Sequence, residues 1–426
     1  MNNSFAIAAI TEEALDAFRN VTDPIADSTV QKIIASGDEK KVNEVMMHLF
    51  RNASFEKGMF EALGSELSEI LDEYIAATQH LPEWADPQKI KGGEKLFSLY
   101  GPEIFMLLNV SSLPLCYTCA KGAQVLYDTG RLLVHNNNID PLARRLMETA
   151  QMVVNVLAEG GLSDKGKGVV TIQKVRLIHA SIRYYLKHKS REPFDTSTYG
   201  EPINQEDLAG TLMSFGPVII SGLKRLNVDL TDQQQTDYMH CWKVVGHLMG
   251  VDHKLLPNTY QEGFELATKI LKHQSAESAA GKALAEACIQ FMNYLSPGNA
   301  LNDVPTYFID YFLQDFSAAS GKNLSACIGI SSRSDRKDRI LLSVSKFIIG
   351  KLSQLEEHKF VQKVSSYFNS KLLEGIIHHF NDGKNVQFFI PPSLKKDWGL
   401  VDEWNNEISS PTIFKRRLAL QKKINN

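Results

Sequence analysis

Apolar residues along the chain recur at intervals of three and four, which is the spacing of one face of an α-helix. This spacing is seen from Val42 to Phe50, from Leu67 to Ile75 and from Ile340 to Leu352. Nearly every long segment shows it in place of the strict alternation that marks half-buried strands. The pattern therefore predicts an all-α protein.

Composition and charge narrow the classes of function. The 46 Lys and Arg residues against 49 Asp and Glu residues leave a net charge of −3, so no overall field attracts nucleic acid or an anionic membrane surface. No apolar stretch reaches the roughly 20 residues of a membrane span. Five sparse cysteines and an N-terminus without a secretory signal predict a cytoplasmic protein.

One basic segment, residues 171–189, follows a glycine-rich loop and contains no Gly or Pro, so it is predicted to be helical. Arg176, His179 and Arg183 fall at positions i, i+3 and i+7, on one stripe of that helix. The segment holds no Asp or Glu. Because an unpaired charge is costly to bury, an anion from outside the helix must neutralise the two arginines.

Three interpretations of this stripe are open. The arginines could reach solvent or acids on a neighbouring helix, with His179 as an ordinary core histidine. The helix could instead form a phosphate-binding surface, which the near-neutral total charge disfavours. In the third interpretation His179 ligates haem iron and the arginines pair with the two propionates. Only the third explains all three residues together.

A second group lies upstream, where Arg145, Glu148 and Thr149 share one face of a predicted helix. The simplest interpretation is an exposed Arg–Glu pair at i, i+3, which contributes little to stability. The hydroxyl of Thr149 could serve as a donor in a pocket, or bond back to the carbonyl one turn earlier.

These stretches and their surroundings resemble the family of the rubber oxygenases and the mycophenolic-acid-pathway oxygenase. The matching motifs occur in order over roughly residues 80–260. They are Leu81-Pro-Glu-Trp84, Arg145-x-x-x-Thr149, Arg176-x-x-His179-x-x-x-Arg183, Asn204-Gln205-Glu-Asp207 with Thr211, and the segment from Trp242 to Gly250.

The resemblance implies haem b as cofactor, bound in an all-helical, globin-like core. It makes His179 the axial ligand of the iron and places Arg176 and Arg183 at the haem periphery. Thr211 matches another residue of the haem pocket. The implied organisation is a single large helical body: an N-terminal extension over residues 1–80, the core over 81–300 and a C-terminal extension over 301–426.

The resemblance also assigns Arg145, Glu148 and Thr149 to the side of the haem where O2 and substrate meet. Glu148 stands where rubber oxygenases carry a lysine, and Asp128 lies near the position of their catalytic glutamate. Either acid could act as a base. The expected function is a haem-dependent oxygenase acting with O2 on a small unsaturated, isoprenoid or lipid-like substrate. The alternatives are a haem-based gas sensor and a helical lipid-binding scaffold without activity.

Overall fold

The computed structural model describes residues 7–36, 45, 59–130, 132–133, 139–190, 192–295, 302–331, 361 and 364–369. Within these ranges the regular elements are helices, and extended backbone pairs only in an isolated antiparallel bridge between Cys119 and Ser275. The predicted all-α class is confirmed.

Seventeen α-helices are found in the described ranges, together with short 3-10 turns and one π-helical segment, Leu108–Ser112. The first eight helices are α1 Glu12–Phe18, α2 Pro24–Ala35, α3 Ser65–Thr78, α4 Pro87–Leu107, α5 Leu113–Thr118, α6 Ala120–Asp128, α7 Asp140–Leu157 and α8 Lys167–His188. The remaining helices are α9 Thr196–Tyr199, α10 Gln205–Phe215, α11 Pro217–Arg225, α12 Asp232–Leu248, α13 Tyr260–Gln274, α14 Ala279–Leu295, α15 Val304–Phe312, α16 Gln314–Ser320 and α17 Leu324–Cys327.

Short polar side chains define where several helices begin. Asp23 caps α2 by accepting a hydrogen bond from the Ala26 amide, and Pro24 occupies the first helical position. Asn204 caps α10 in the same way through the Asp207 amide. These two caps fix the starts of α2 and α10, whose acidic side chains are described below.

The buried apolar residues form one large cluster and two smaller ones. The large cluster joins most helices from α4 to α17. One smaller cluster packs α2 and α3 against α8, and it includes Leu67, Leu71 and Leu177. The other consists of Val125, Leu186 and Phe194. The helical face predicted at Leu67 is therefore a buried face. The division of the chain near residues 80 and 300 stays a prediction.

The glycine-rich loop between α7 and α8 brings these two helices into close contact. A Cβ added at Gly168 would lie 2.6 Å from the Gly161 carbonyl oxygen and 2.9 Å from the Asn155 carbonyl oxygen. Helix α8 begins at Lys167, four residues before the start of the predicted segment. Gly168, in its first turn, has no side chain and therefore fits where the backbones of α7 and α8 touch. The loop glycines thus serve packing between the two helices that carry the predicted site.

One helical run, Pro87–Thr118, is long and apolar enough to cross a bilayer. It comprises α4, the π-helical segment and α5. Within the part of the chain that the structure describes, it is the single run with these properties, and 72% of its most apolar window is buried inside the protein. Its hydropathy therefore serves the core, as expected for a helix surrounded by other helices.

Candidate functional site

A cavity of about 950 Å³ lies between the walls formed by α6, α7, α8, α10, α12 and α13. Its volume is at the upper end of the range for small-molecule sites, which is about 300–1,000 Å³. The walls are mainly apolar, and Phe215 and Trp242 stack in one of them with ring centroids 4.8 Å apart. Such a site favours an apolar ligand held by few polar contacts.

Five of the seven predicted site residues meet in the wall of this cavity. They are Arg145, Glu148, Thr149, His179 and Thr211. The two others, Arg176 and Arg183, lie outside its lining. The cavity therefore joins the two predicted groups, which are separated by about thirty residues in the sequence, because α7 and α8 pack side by side.

The three predicted residues of α7 share one face. The Nη1 of Arg145 donates a hydrogen bond of 2.8 Å to Thr149 Oγ1, and it lies 4.0 Å from Glu148 Oε2. Glu148 is 43% exposed, so its carboxylate is well hydrated at the edge of the cavity. The predicted side-by-side placement of these residues is confirmed.

His179 presents an uncharged imidazole to the cavity. Burial, with the nearby charges of Arg183 and Arg145, lowers the pKa of His179 to about 3. Among the described residues the ring has no hydrogen-bond partner. A neutral imidazole with available ring nitrogens is the form that coordinates a metal.

The two arginines of α8 have partners in the protein. Arg176 makes a bidentate pair with Asp23, its Nε and Nη2 donating to the carboxylate at 2.7 and 2.8 Å. Arg183 Nε donates to Asp27 Oδ1 at 2.7 Å. The predicted outside anion is thus present, but it comes from α2 and its cap. These aspartates occupy the place that the third interpretation gave to the propionates, and the assignment of Arg176 and Arg183 to the haem periphery stays a prediction.

Geometry explains why the stripe divides. On an α-helix, residues seven apart differ by about 20° in direction, whereas residues three apart differ by about 60°. Arg176 and Arg183 therefore both point at α2, and His179 turns from them toward the cavity. A sequence signal existed, since Asp23 and Asp27 lie one helical turn apart on α2.

A buried acidic pair on α10 forms another part of the wall. Arg19, at the end of α1, donates from Nη1 to Glu206 Oε2 at 2.9 Å and to Asp207 Oδ1 at 3.0 Å. Glu206 also receives hydrogen bonds from Gln274 and from His273, each 2.6 Å long. From the sequence, these two acids are predicted only to be part of a matching motif, with no role in the site.

Two free thiols complete this side of the cavity. Cys116 and Cys119 both line it, and neither is in a disulfide. Burial raises the pKa of the Cys116 thiol to about 11 and also raises the pKa of Cys119. Both groups are therefore neutral thiols at physiological pH, with little nucleophilic character.

Comparison with known proteins connects this cavity to a family of oxygenases. Residues 118–315 match the family described as the catalytic domain of the ER-bound oxygenase mpaB/B' and rubber oxygenase. The chain is 22% identical over 278 residues to a rubber oxygenase of Streptomyces sp. (strain K30). That match covers 65% of each protein, so it spans just under two thirds of the curated relative.

A solved structure shares the fold. The structure of latex clearing protein in the closed state aligns with a TM-score of 0.65 and 19% sequence identity. The alignment covers 91% of this chain and 98% of that one. The likeness shows a common helical architecture that extends beyond the matched catalytic domain.

Proposed function

Because residues 118–315 match the mpaB and rubber oxygenase family, we propose that the chain is a haem b-dependent oxygenase. It uses O2 to oxygenate or cleave an unsaturated isoprenoid or lipid-like substrate. The observation that carries the proposal is the neutral imidazole of His179 in the wall of a large, mainly apolar cavity.

The donor set around His179 fits a haem. In the described part of the chain no three His, Cys, Asp or Glu side chains cluster to hold a metal ion. A metal bound by His179 would thus take most of its ligands from a cofactor, as haem iron does from the porphyrin. Haem bound by His179 would supply an iron with an open position for O2.

The polar residues of α7 suit a reaction in which negative charge develops on oxygen. The Arg145 guanidinium is a fixed cation, and Thr149 restrains it through the 2.8 Å hydrogen bond. A preorganised cation in a water-poor cavity stabilises such charge strongly. The apolar walls hold an apolar substrate and exclude water from it.

The two acids proposed as bases differ in position. Glu148 lines the cavity, whereas Asp128 lies outside its lining and is exposed, with Gln124 Nε2 donating to it at 2.7 Å. Glu148 is therefore the member of this pair that can meet a ligand. Thr211 also lines the cavity, and its hydroxyl donates to the Asp207 carbonyl oxygen at 2.8 Å.

Absorption spectroscopy of the purified protein after reconstitution with haem tests the proposal. We expect a Soret band that is lost or strongly shifted in His179→Ala and unchanged in the control His188→Ala. His188 lies on the same helix, outside the cavity lining. Absence of a Soret band in the unsubstituted protein would refute haem binding, and an unchanged spectrum in His179→Ala would refute the ligand assignment.

Oxygen consumption separates the proposed enzyme from its alternatives. We expect sustained O2 uptake with squalene, a small isoprenoid, and carbonyl or hydroperoxide products by mass spectrometry. Haem binding with reversible O2 binding but no turnover would instead indicate a gas-binding module. Lipid binding by a protein that takes up no haem would indicate a scaffold.

A further inference from the structure

Asp207 lines the cavity, although it belongs to a buried acidic pair. Its side chain is 14% exposed, whereas that of its neighbour Glu206 is 0% exposed. Across from it, Gly122 of α6 leaves the space that the carboxylate needs, since a Cβ added there would lie 2.9 Å from Asp207 Oδ1. Both acids line the cavity, and Asp207 is the more accessible of the two to a ligand.

Hydrogen bonds fix this carboxylate on both sides. Arg19 Nη1 donates to Oδ1 at 3.0 Å, and Asn204 Nδ2 donates to Oδ2 at 3.0 Å. The Asp207 amide in turn donates to Asn204 Oδ1 at 3.0 Å, so the helix cap and the carboxylate hold each other. A group held in this way reacts without first losing rotational freedom.

The surrounding charges make Asp207 a better proton acceptor than an ordinary aspartate. Burial raises the pKa of Asp207. The positive charge of Arg19 opposes that rise, and the neighbouring carboxylate of Glu206 adds to it. Glu206 itself is paired with Arg19 and His273. The other titratable groups close by, the thiols of Cys116 and Cys119, are neutral. Enzymes use carboxyl groups with a raised pKa as general acids and bases.

We propose that Asp207 is a catalytic acid–base residue of the cavity. This role rests on the proposed oxygenase function and assigns its proton transfers. Asp207 accepts the proton of a C–H bond next to the substrate double bond. The electron pair of that bond forms a new double bond, while the old double bond forms a carbon–oxygen bond with O2. Asp207 then returns the proton to the second oxygen atom, and the carboxylate is regenerated.

Turnover of squalene by the haem-loaded full chain tests this role. Asp207→Asn removes the proton acceptor and nearly preserves its shape. We expect kcat to fall at least about 100-fold, as general-base loss typically gives, with an unchanged Soret band and squalene affinity. The acidic limb of the wild-type pH profile of kcat/KM should disappear in Asp207→Asn and return in Asp207→Glu. Asp229→Asn, at an exposed position outside the cavity lining, is the matched control and keeps the wild-type rate.

A second variant guards against a folding defect in Asp207→Asn. Gly122→Ala leaves the carboxylate intact but displaces it by adding a methyl group 2.9 Å from Oδ1. We expect kcat to fall about tenfold with haem binding unchanged, because misplacement of a reacting group by an ångström is costly.

The outcomes separate the two proposals. Wild-type kcat and an unchanged pH profile in Asp207→Asn, with turnover in the unsubstituted protein, overturn only the role of Asp207. Wild-type kcat in Gly122→Ala overturns it as well if Asp207→Asn does not fold. Failure of the unsubstituted protein to bind haem or consume O2 overturns the proposed function, and the role of Asp207 with it.

Discussion

Asp23→Asn is the sharpest test of how α8 is held in place. The substitution removes the charge that pairs with Arg176, and asparagine remains a good N-cap for α2. Its effect therefore reports on the ion pair and not on the helix start. The pair is buried on both sides, with two charge-assisted hydrogen bonds of 2.7 and 2.8 Å.

The expected magnitude follows from that burial. Removal of one partner of a buried ion pair strands the other charge and typically costs about 3–5 kcal/mol. Asparagine still accepts one hydrogen bond from Arg176, so we expect a cost near the lower limit, about 3 kcal/mol. The exposed pair of Lys32 with Glu73, which joins α2 to α3, is the matched control. For Glu73→Gln we expect less than about 1 kcal/mol.

Urea unfolding followed by far-ultraviolet circular dichroism measures both costs in the haem-free protein. A lower midpoint at unchanged slope reports lost stability. In the double variant Asp23→Asn/Arg176→Met, the stranded charge is gone, so the loss should be smaller than the sum of the single losses. Equal losses for Asp23→Asn and Glu73→Gln would refute the reasoning. So would a loss that disappears in haem-loaded protein, because it would mean that the cofactor neutralises Arg176 in place of Asp23.

Two further predictions concern backbone geometry and pH. Gly250 has φ +81°, and a Cβ there would lie 2.7 Å from Arg176 Nη2. Gly250→Ala should therefore lower the free energy of unfolding, measured with urea, by about 2–3 kcal/mol. The control Gly321→Ala should lower it by about 1 kcal/mol, because the φ of Gly321 is also positive but its surroundings are open. The hydrogen bond to Glu206 raises the pKa of His273 above 6.5. The resulting stabilisation is fully present below pH about 6.5 and is lost as the pH rises through the folded-state pKa. The urea midpoint of the unsubstituted protein should therefore fall over that pH range, and His273→Gln should reduce this fall. An equal fall in both proteins would contradict the prediction.

Local spacing accounts for what the sequence could predict. The all-α class follows from the repeat of apolar residues, and Arg145, Glu148 and Thr149 share a face because they lie within about one helical turn. Such relations depend on the helix alone. The long-range pairing of Arg176 with Asp23, 153 residues apart, depends on how α2 packs on α8. Helical periodicity carries no information on that packing, so the source of the neutralising anion stayed open.

The position of Asp207 was hidden for a related reason. In the sequence it is one of two adjacent acids in the first turn after a capping asparagine, where acidic residues are common for the helix dipole alone. Its contact with the cavity depends on Gly122, 85 residues earlier in the chain. Neither a glycine in a helix nor an acid near a helix cap predicts a functional site by itself. Only the close approach of Gly122 to Asp207 in the folded structure shows that they belong together.

The carboxylates of α2 also bear on how cofactor exchange would proceed. Because Asp23 and Asp27 already pair with Arg176 and Arg183, the helix that presents His179 is held in place before any prosthetic group enters. Its orientation then depends on the polypeptide and not on the occupant of the cavity. Porphyrins with another metal or altered side chains should thus find the same imidazole in the same place, which makes this chain a framework for cofactor substitution.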